Sequence, residues 1–200
     1  MIEDLAPESW PVVGSEEQFS NWLITVRADK VQMPDKHYVE RTVVTHIGAV
    51  GIVALDEQDR VLMIRQYRHA AGRQLWEIPA GLRDVSGEAL VDTARRELEE
   101  ETGYAADRWD SLLDSYASPG ISSERIRIFL ARDLTPVISD YQREGEEKFL
   151  RQERVPLTEA VQAALAGKLH NGATIQGVLA AHVVRAGGFA SLRPAEAPEA

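Results

Sequence analysis

Glu97, Glu100 and Glu101 stand three and four positions apart. On an α-helix such residues are neighbours, so the three carboxylates project from one face. Like charges this close repel, and no lysine stands between Gly81 and Tyr104 to relieve them. The cluster is destabilising unless a divalent cation occupies it. Carboxylate oxygens are hard ligands, and Mg2+ is a hard cation that keeps waters and bridges phosphate oxygens. The chemistry expected is the holding of a divalent cation that takes further oxygen ligands from an anionic substrate such as a phosphate. Against it stands the ordinary reading of three glutamates on one helix, a solvated acidic face.

A helix must carry the trio. Over Glu88–Thr102 the residues Ala89, Leu90, Ala94, Leu98 and Glu101 recur near the 3.6 period. Ser86 or Gly87 caps its start, Gly103 supplies the left-handed residue that ends it, and Ala94 and Leu98 face a sheet. Upstream, Trp22–Val31 and His37–Thr45 read as a hairpin around a Met-Pro-Asp-Lys turn. The apolar run Ile47–Leu55 reads as a buried strand, paired through the polar turn Asp56–Asp59 with Arg60–Tyr67. Leu75–Ile78 is a short strand ended by Pro79. Trp109–Ala117 and Arg125–Ala131 are strands joined by SPGISSE, and Phe149–Val155 is a weaker one. Leu157–Ala166 and Ala173–Arg185 are amphipathic helices. Strands and helices mix without strict βαβ alternation, which predicts an α/β fold, an α/β/α sandwich on a mixed sheet.

Composition narrows the partners. The 200 residues carry a formal net charge of -10 and no cysteine. A disulfide framework, a thiolate metal site and a cysteine nucleophile are excluded. An acidic chain without a basic run is not expected to bind nucleic acid. Its anionic substrate would need local cations. MIEDLAPESW lacks a basic region followed by an apolar stretch, so no signal peptide is expected. The apolar run Ile47–Leu55 is too short to span a bilayer. No membrane partner is expected, and the expected location is the cytoplasm. The segment from Leu192, LRPAEAPEA, is expected to be disordered.

Arg96 through Tyr104, RELEEETGY, matches the pattern REUxEExGU, with U a bulky apolar residue. Glu88 stands eight positions before Arg96, as the pattern requires. Gly81 lies seven before Glu88 where six is usual, one extra loop residue. On these residues the chain resembles the Nudix hydrolases. Four further stretches resemble the bacterial, actinobacterial-type ADP-ribose pyrophosphatases among them: Arg41–Val50, Gln66–His69 (QYRH), Trp76–Gly81 (WEIPAG) and Tyr116–Arg125 (YASPGISSER). The resemblance covers roughly residues 20–185.

The resemblance implies Mg2+-dependent hydrolysis of ADP-ribose to AMP and ribose 5-phosphate, with Mn2+ able to substitute. It implies metal ligands at Glu97, Glu100 and Glu101 and at the carbonyl of Ala80. Arg68 would contact substrate phosphate. Ser118 and Glu124 would lie near the terminal ribose or the metals, and Trp76 beside the adenine. Arg41 would reach a partner subunit's site. Read as residues alone, Arg68 equally well pairs with a carboxylate, Trp76 suits a core or interface, and Ser118 and Glu124 suit a turn. A late acidic loop would supply the catalytic base, Glu147 first and Glu146 next. Lys148 and Arg151–Glu153 depart from the apolar strand usual there. The implied organisation is residues 1–45 as a β-strand region serving a homodimer or strand swap, 46–190 as the Nudix domain, and 191–200 as a tail. Two alternatives differ in class: a Nudix hydrolase of a nucleotide sugar, NADH or FAD, and a non-enzymatic ADP-ribose sensor. A sensor is expected to have a degraded signature, and this one is intact.

Overall fold

The computed structural model describes Asp4, residues 8–138, Tyr141 and residues 148–199. Two compact units divide the chain, one of the residues up to Ile47 with Ser118–Glu124, the other of Gly48–Ala117 with Arg125 onward.

The first unit is an antiparallel meander of β1 (Val12–Ser20), β2 (Ile24–Gln32) and β3 (Tyr38–His46). β2 and β3 make the expected hairpin, with unbroken register from Ile24 opposite His46 to Gln32 opposite Tyr38. β1 has no counterpart in the sequence reading. All of its residues, VVGSEEQFS, are exposed, so no inward alternation marks it. It is a strand because β2 offers a free edge and the Ser15 hydroxyl donates to the buried Asp29 at 2.6 Å. Ser118–Glu124 joins this unit through main-chain bonds: the Val44 N–H donates to the Ile121 carbonyl at 2.8 Å and the Ser123 N–H to the Val44 carbonyl at 3.0 Å.

The second unit contains β4 (Ala49–Ala54), β5 (Arg60–Arg68), β6 (Arg73–Glu77), β7 (Ala80–Leu82), α1 (Leu90–Thr102), β8 (Tyr104–Tyr116), β9 (Arg125–Pro136), β10 (Arg151–Pro156), α2 (Leu157–Leu165), α3 (Gly172–Ala186) and β11 (Arg193–Pro194). One sheet runs β11-β8-β9-β4-β7, mixed because β4 and β9 are parallel. A second, antiparallel sheet runs β10-β5-β6.

The period-2 alternation of the central strands builds two cores. Val50, Ile52 and Ala54 of β4, with Phe129 and Ala131 of β9, pack with Val91, Ala94 and Leu98 of α1. Val53 of β4, with Ile128 and Leu130 of β9, packs with Leu157, Ala160 and Val161 of α2 and Val178 and Ala181 of α3. These strands are apolar on both faces because helices cover both, which is the expected α/β/α sandwich.

Three expectations give way. β4 and β5 are not a hairpin: β4 lies between β9 and β7, and β5 between β10 and β6. Across the turn they are linked by the isolated bridge Leu55–Val61 and by the Asp56 N–H, which donates to the Arg60 carbonyl at 3.0 Å. Both runs are apolar and adjacent, and adjacency alone cannot tell a hairpin from a change of sheet. α1 starts at Leu90, and its N-cap Ala89 offers no side-chain bond. The Glu88 carboxylate accepts from the Thr93 hydroxyl at 2.8 Å instead. The segment from Leu192 is docked where described. Arg193–Pro194 pairs with β8, Ala195 is buried, and the Ala197 carbonyl accepts from the Arg127 guanidinium at 2.5 Å. Its proline and glutamate content signals disorder, but a sheet edge and buried Arg127 give it partners that composition does not record.

Candidate active site

Ala94 and Leu98 are fully buried and fix the rotation of α1 against β4 and β9. That rotation turns Glu97 and Glu101 toward the β7 segment. The segment is itself pinned: the Ile78 N–H donates to the buried Thr174 hydroxyl at 3.0 Å, and the Ile52 N–H to the Pro79 carbonyl at 2.8 Å. The Ala80 N–H donates to Glu101 Oε2 at 2.9 Å, and Glu101 is 5% exposed. The Glu97 carboxyl lies against Gly81, where a Cβ would stand 2.0 Å from Glu97 Cδ and 2.3 Å from Oε1. The opening glycine of the motif is therefore the space in which a carboxylate sits.

Arg96 offsets part of the repulsion among the three carboxylates. Its Nη1 donates to Glu97 at 2.8 Å and lies 3.7 Å from Glu100. Its Nη2 reaches Glu88 and Asp84, each at 3.1 Å. One guanidinium thus ties the loop before α1 to the acidic face of its last turns. The hydrogen bond to Glu88 is the main reason that the Arg96 pKa rises.

Arg68 and Trp76 lie on the second sheet. Arg68 forks onto Glu77 through Nε, at 3.1 and 3.2 Å, and Nη2, at 2.7 Å. Glu77 is 2% exposed at its side chain and Arg68 43%, so a buried anion holds a partly exposed cation. Glu77 is absent from the sequence-predicted residues. Its signal was a charge between Trp76 and Ile78 in an otherwise apolar strand. Trp76 packs against the α2–α3 core, with the Arg65 guanidinium 5.2 Å from its ring centroid.

Arg41, Ser118 and Glu124 belong to the first unit. Arg41 sits on β3 opposite Asp29, and its Nη1 donates to the Glu40 carbonyl at 3.2 Å. The Ser118 carbonyl accepts from the N–H groups of Ile121, at 3.1 Å, and Ser122, at 2.8 Å. The Glu124 N–H donates to the Ser122 hydroxyl at 3.1 Å, and its carboxylate stands 3.8 Å from His46 Nδ1. Glu146 and Glu147 lie outside the described residues.

Residues 45–176 match the family model described as the NUDIX domain. The chain belongs to the Nudix family. It is 42% identical to the ADP-ribose pyrophosphatase of Mycobacterium tuberculosis over 95% of this chain and 91% of that protein. It is 32% identical to the ADP-ribose pyrophosphatase of Bacillus subtilis over 81% of this chain and 86% of that one. Its fold is that of a solved ADP compounds hydrolase, with TM-score 0.75 at 22% identity, covering 92% of this chain and 99% of the other. The extra residue between Gly81 and Glu88 leaves the Nudix helix intact, because it falls in the loop that Arg96 grips. The chain is therefore a Nudix pyrophosphohydrolase, a class that works with a divalent metal. No helix among the described residues is long and apolar enough to cross a membrane.

The Nudix carboxylates suit such a metal in a particular way. Among the described residues, no group of three or more His, Asp or Glu side chains is arranged to hold a metal ion by itself. Glu97 and Glu101 bring hard carboxylate oxygens to the Ala80–Gly81 segment, and Glu100 stands beside them near Arg96. Such a set suits a cation that takes its remaining ligands from substrate phosphate and water.

The loop ahead of the Nudix helix carries a pH signature. Hydrogen bonds from Arg96 first, and from the Thr93 hydroxyl, hold the Glu88 carboxyl below its ordinary value of 4.5, against the opposing effect of burial. The folded value is the lower one, so the stabilisation is present above pH 4.5 and is lost as pH falls through the folded value. Urea midpoints of the wild type and Glu88→Gln should differ at about pH 7 and converge as pH falls below the lowered Glu88 value. A gap of constant size would show that Glu88 is not the titrating group.

Proposed function

We propose that this Nudix enzyme hydrolyses the diphosphate of ADP-ribose to AMP and ribose 5-phosphate with Mg2+, which Mn2+ can replace. Support comes from the convergence of Glu97 and Glu101 on the Ala80–Gly81 segment, and from two relatives named as ADP-ribose pyrophosphatases that align over most of this chain.

Glu97, Glu100, Glu101 and the Ala80 carbonyl would hold the cation. When bound, it supplies charge neutralisation at the diphosphate and makes a water easier to deprotonate. Arg68, braced from behind by Glu77, orients a phosphate. Glu147, or Glu146 in its place, accepts a proton from the attacking water. That water adds to phosphorus as the bridging P–O bond breaks, and the leaving phosphate oxygen carries the displaced charge. Trp76 flanks the adenine, and Ser118 and Glu124 serve the terminal ribose end.

The meander exposes Trp10, Val12, Val13, Phe19, Trp22 and Tyr38. Apolar residues in that number suit burial against a second copy. In the proposed homodimer, residues 1–45 form the interface and Arg41 reaches the partner's site, while 46–190 form the catalytic domain. Light scattering at micromolar concentration should give twice the chain mass, and a monomer would overturn the dimer.

The reaction is tested by hydrolysis with Mg2+ across ADP-ribose, nucleotide sugars, NADH and FAD, with products identified. The highest kcat/KM is expected for ADP-ribose. A higher value for another member, or tight ADP-ribose binding without turnover, would overturn the assignment.

A further inference from the structure

β10 departs from the apolar strand that the family resemblance leads one to expect, and its polar side chains have a specific use. The strand pairs with β5, placing Gln152 opposite Ile64. Gln152 Nε2 donates to the main-chain carbonyl of Glu101 at 2.8 Å. Two residues on, and so on the same side of the strand, the Arg154 guanidinium lies 5.0 Å from the centroid of the Tyr104 ring. The first contact falls on the last turn of α1 and the second on Tyr104, two residues past its end, where β8 begins. A helix leaves its last four carbonyls without intrahelical partners. In α1 the Gly103 N–H takes that of Glu99, and the Gln152 amide takes that of Glu101.

Glu101 is therefore gripped at two points, by the Ala80 N–H at its carboxylate and by Gln152 at its carbonyl. The first grip sets where the carboxylate ends and the second sets the turn from which it springs. We infer that Gln152 is a positioning residue, which holds the last turn of α1 so that the Glu101 carboxylate stands where the divalent cation binds. The inference rests on the proposed metal site and adds to it a residue outside the Nudix motif. A side-chain amide suits the task because it donates to a carbonyl without bringing a charge beside the acidic face.

The test is Mn2+ binding followed by electron paramagnetic resonance, without substrate, in the full chain. Gln152→Met keeps the length of the side chain and removes the donor. Gln152→Asn keeps an amide that falls one methylene short. Both should weaken Mn2+ binding by about 5-fold, the factor that one hydrogen bond of ordinary net strength corresponds to. The metal concentration for half-maximal activity should rise in parallel, with KM for ADP-ribose at saturating metal unchanged. A lowered Tm with wild-type Mn2+ affinity in both variants would overturn the inference, leaving Gln152 a helix cap. Glu101→Gln is the control, expected to weaken Mn2+ binding more than either. Wild-type affinity in that control would overturn the metal site itself, and the role of Gln152 with it.

Discussion

Replacing Glu101 with glutamine should lower kcat/KM by at least about 10²-fold while the protein stays folded. Two effects oppose each other in stability. The glutamine oxygen still accepts from the Ala80 N–H, but a neutral acceptor bonds about half as strongly as a charged one. Removing a charge from an acidic face that also carries Glu97 and Glu100 relieves repulsion. The net change is within about 1 kcal/mol, the size of one hydrogen bond. Activity has no such compensation. A metal acting as Lewis acid supplies several kcal/mol of transition-state stabilisation, and each ~1.4 kcal/mol is a factor of ten in rate. Steady-state kinetics over a range of Mg2+, together with urea denaturation, read the two separately. Turnover at the wild-type level would remove Glu101 from the site.

Gly81→Ala should have an effect of similar size, for a reason of space alone. The added methyl would occupy the position of the Glu97 carboxyl, 2.0 Å from Cδ and 2.3 Å from Cγ. The backbone at Gly81 is not in the left-handed region, so alanine is not strained there. The clash runs from Oε1 back to Cγ, so Glu97 must change rotamer and give up its bond to Arg96, at a cost of about 1 kcal/mol. The lower entropy of the unfolded chain offsets that loss by about 0.4–1 kcal/mol, so the net change in stability should be small. Glu97 gives up its place, and kcat/KM should fall at least about 10²-fold on the same Lewis-acid arithmetic. The Glu97→Gln variant should lose activity to a similar degree. Full activity in Gly81→Ala would mean that Glu97 works from another position.

The two variants separate what was legible from what was not. The spacing of Glu97, Glu100 and Glu101 gave the helix, its acidic face and a need for cations, because 3.6 residues per turn is a local property. The apolar runs at Ile47–Leu55 and Arg60–Tyr67 gave two strands but not their sheets. Val12–Ser20 stayed invisible because a strand with every residue exposed has no periodic signal. Pairing is a long-range property, and residues adjacent along the chain do not encode it.

At the site the same boundary holds. The motif marked Gly81 as a required glycine, and the structure gave the reason, since the Glu97 carboxyl fills the space beside it. Arg68 was legible as a cation, but not its buried partner Glu77. Gln152 was legible only as part of a polar departure from an apolar strand, and only the arrival of β10 beside the end of α1 gave its amide a carbonyl to hold. What the sequence determined by itself was the set of charges that one helical turn displays, because their spacing needs nothing beyond that turn. What tertiary structure decided was which groups beyond Arg96 brace those charges, because the Ala80–Gly81 segment and Gln152 reach the helix only when the sheets assemble.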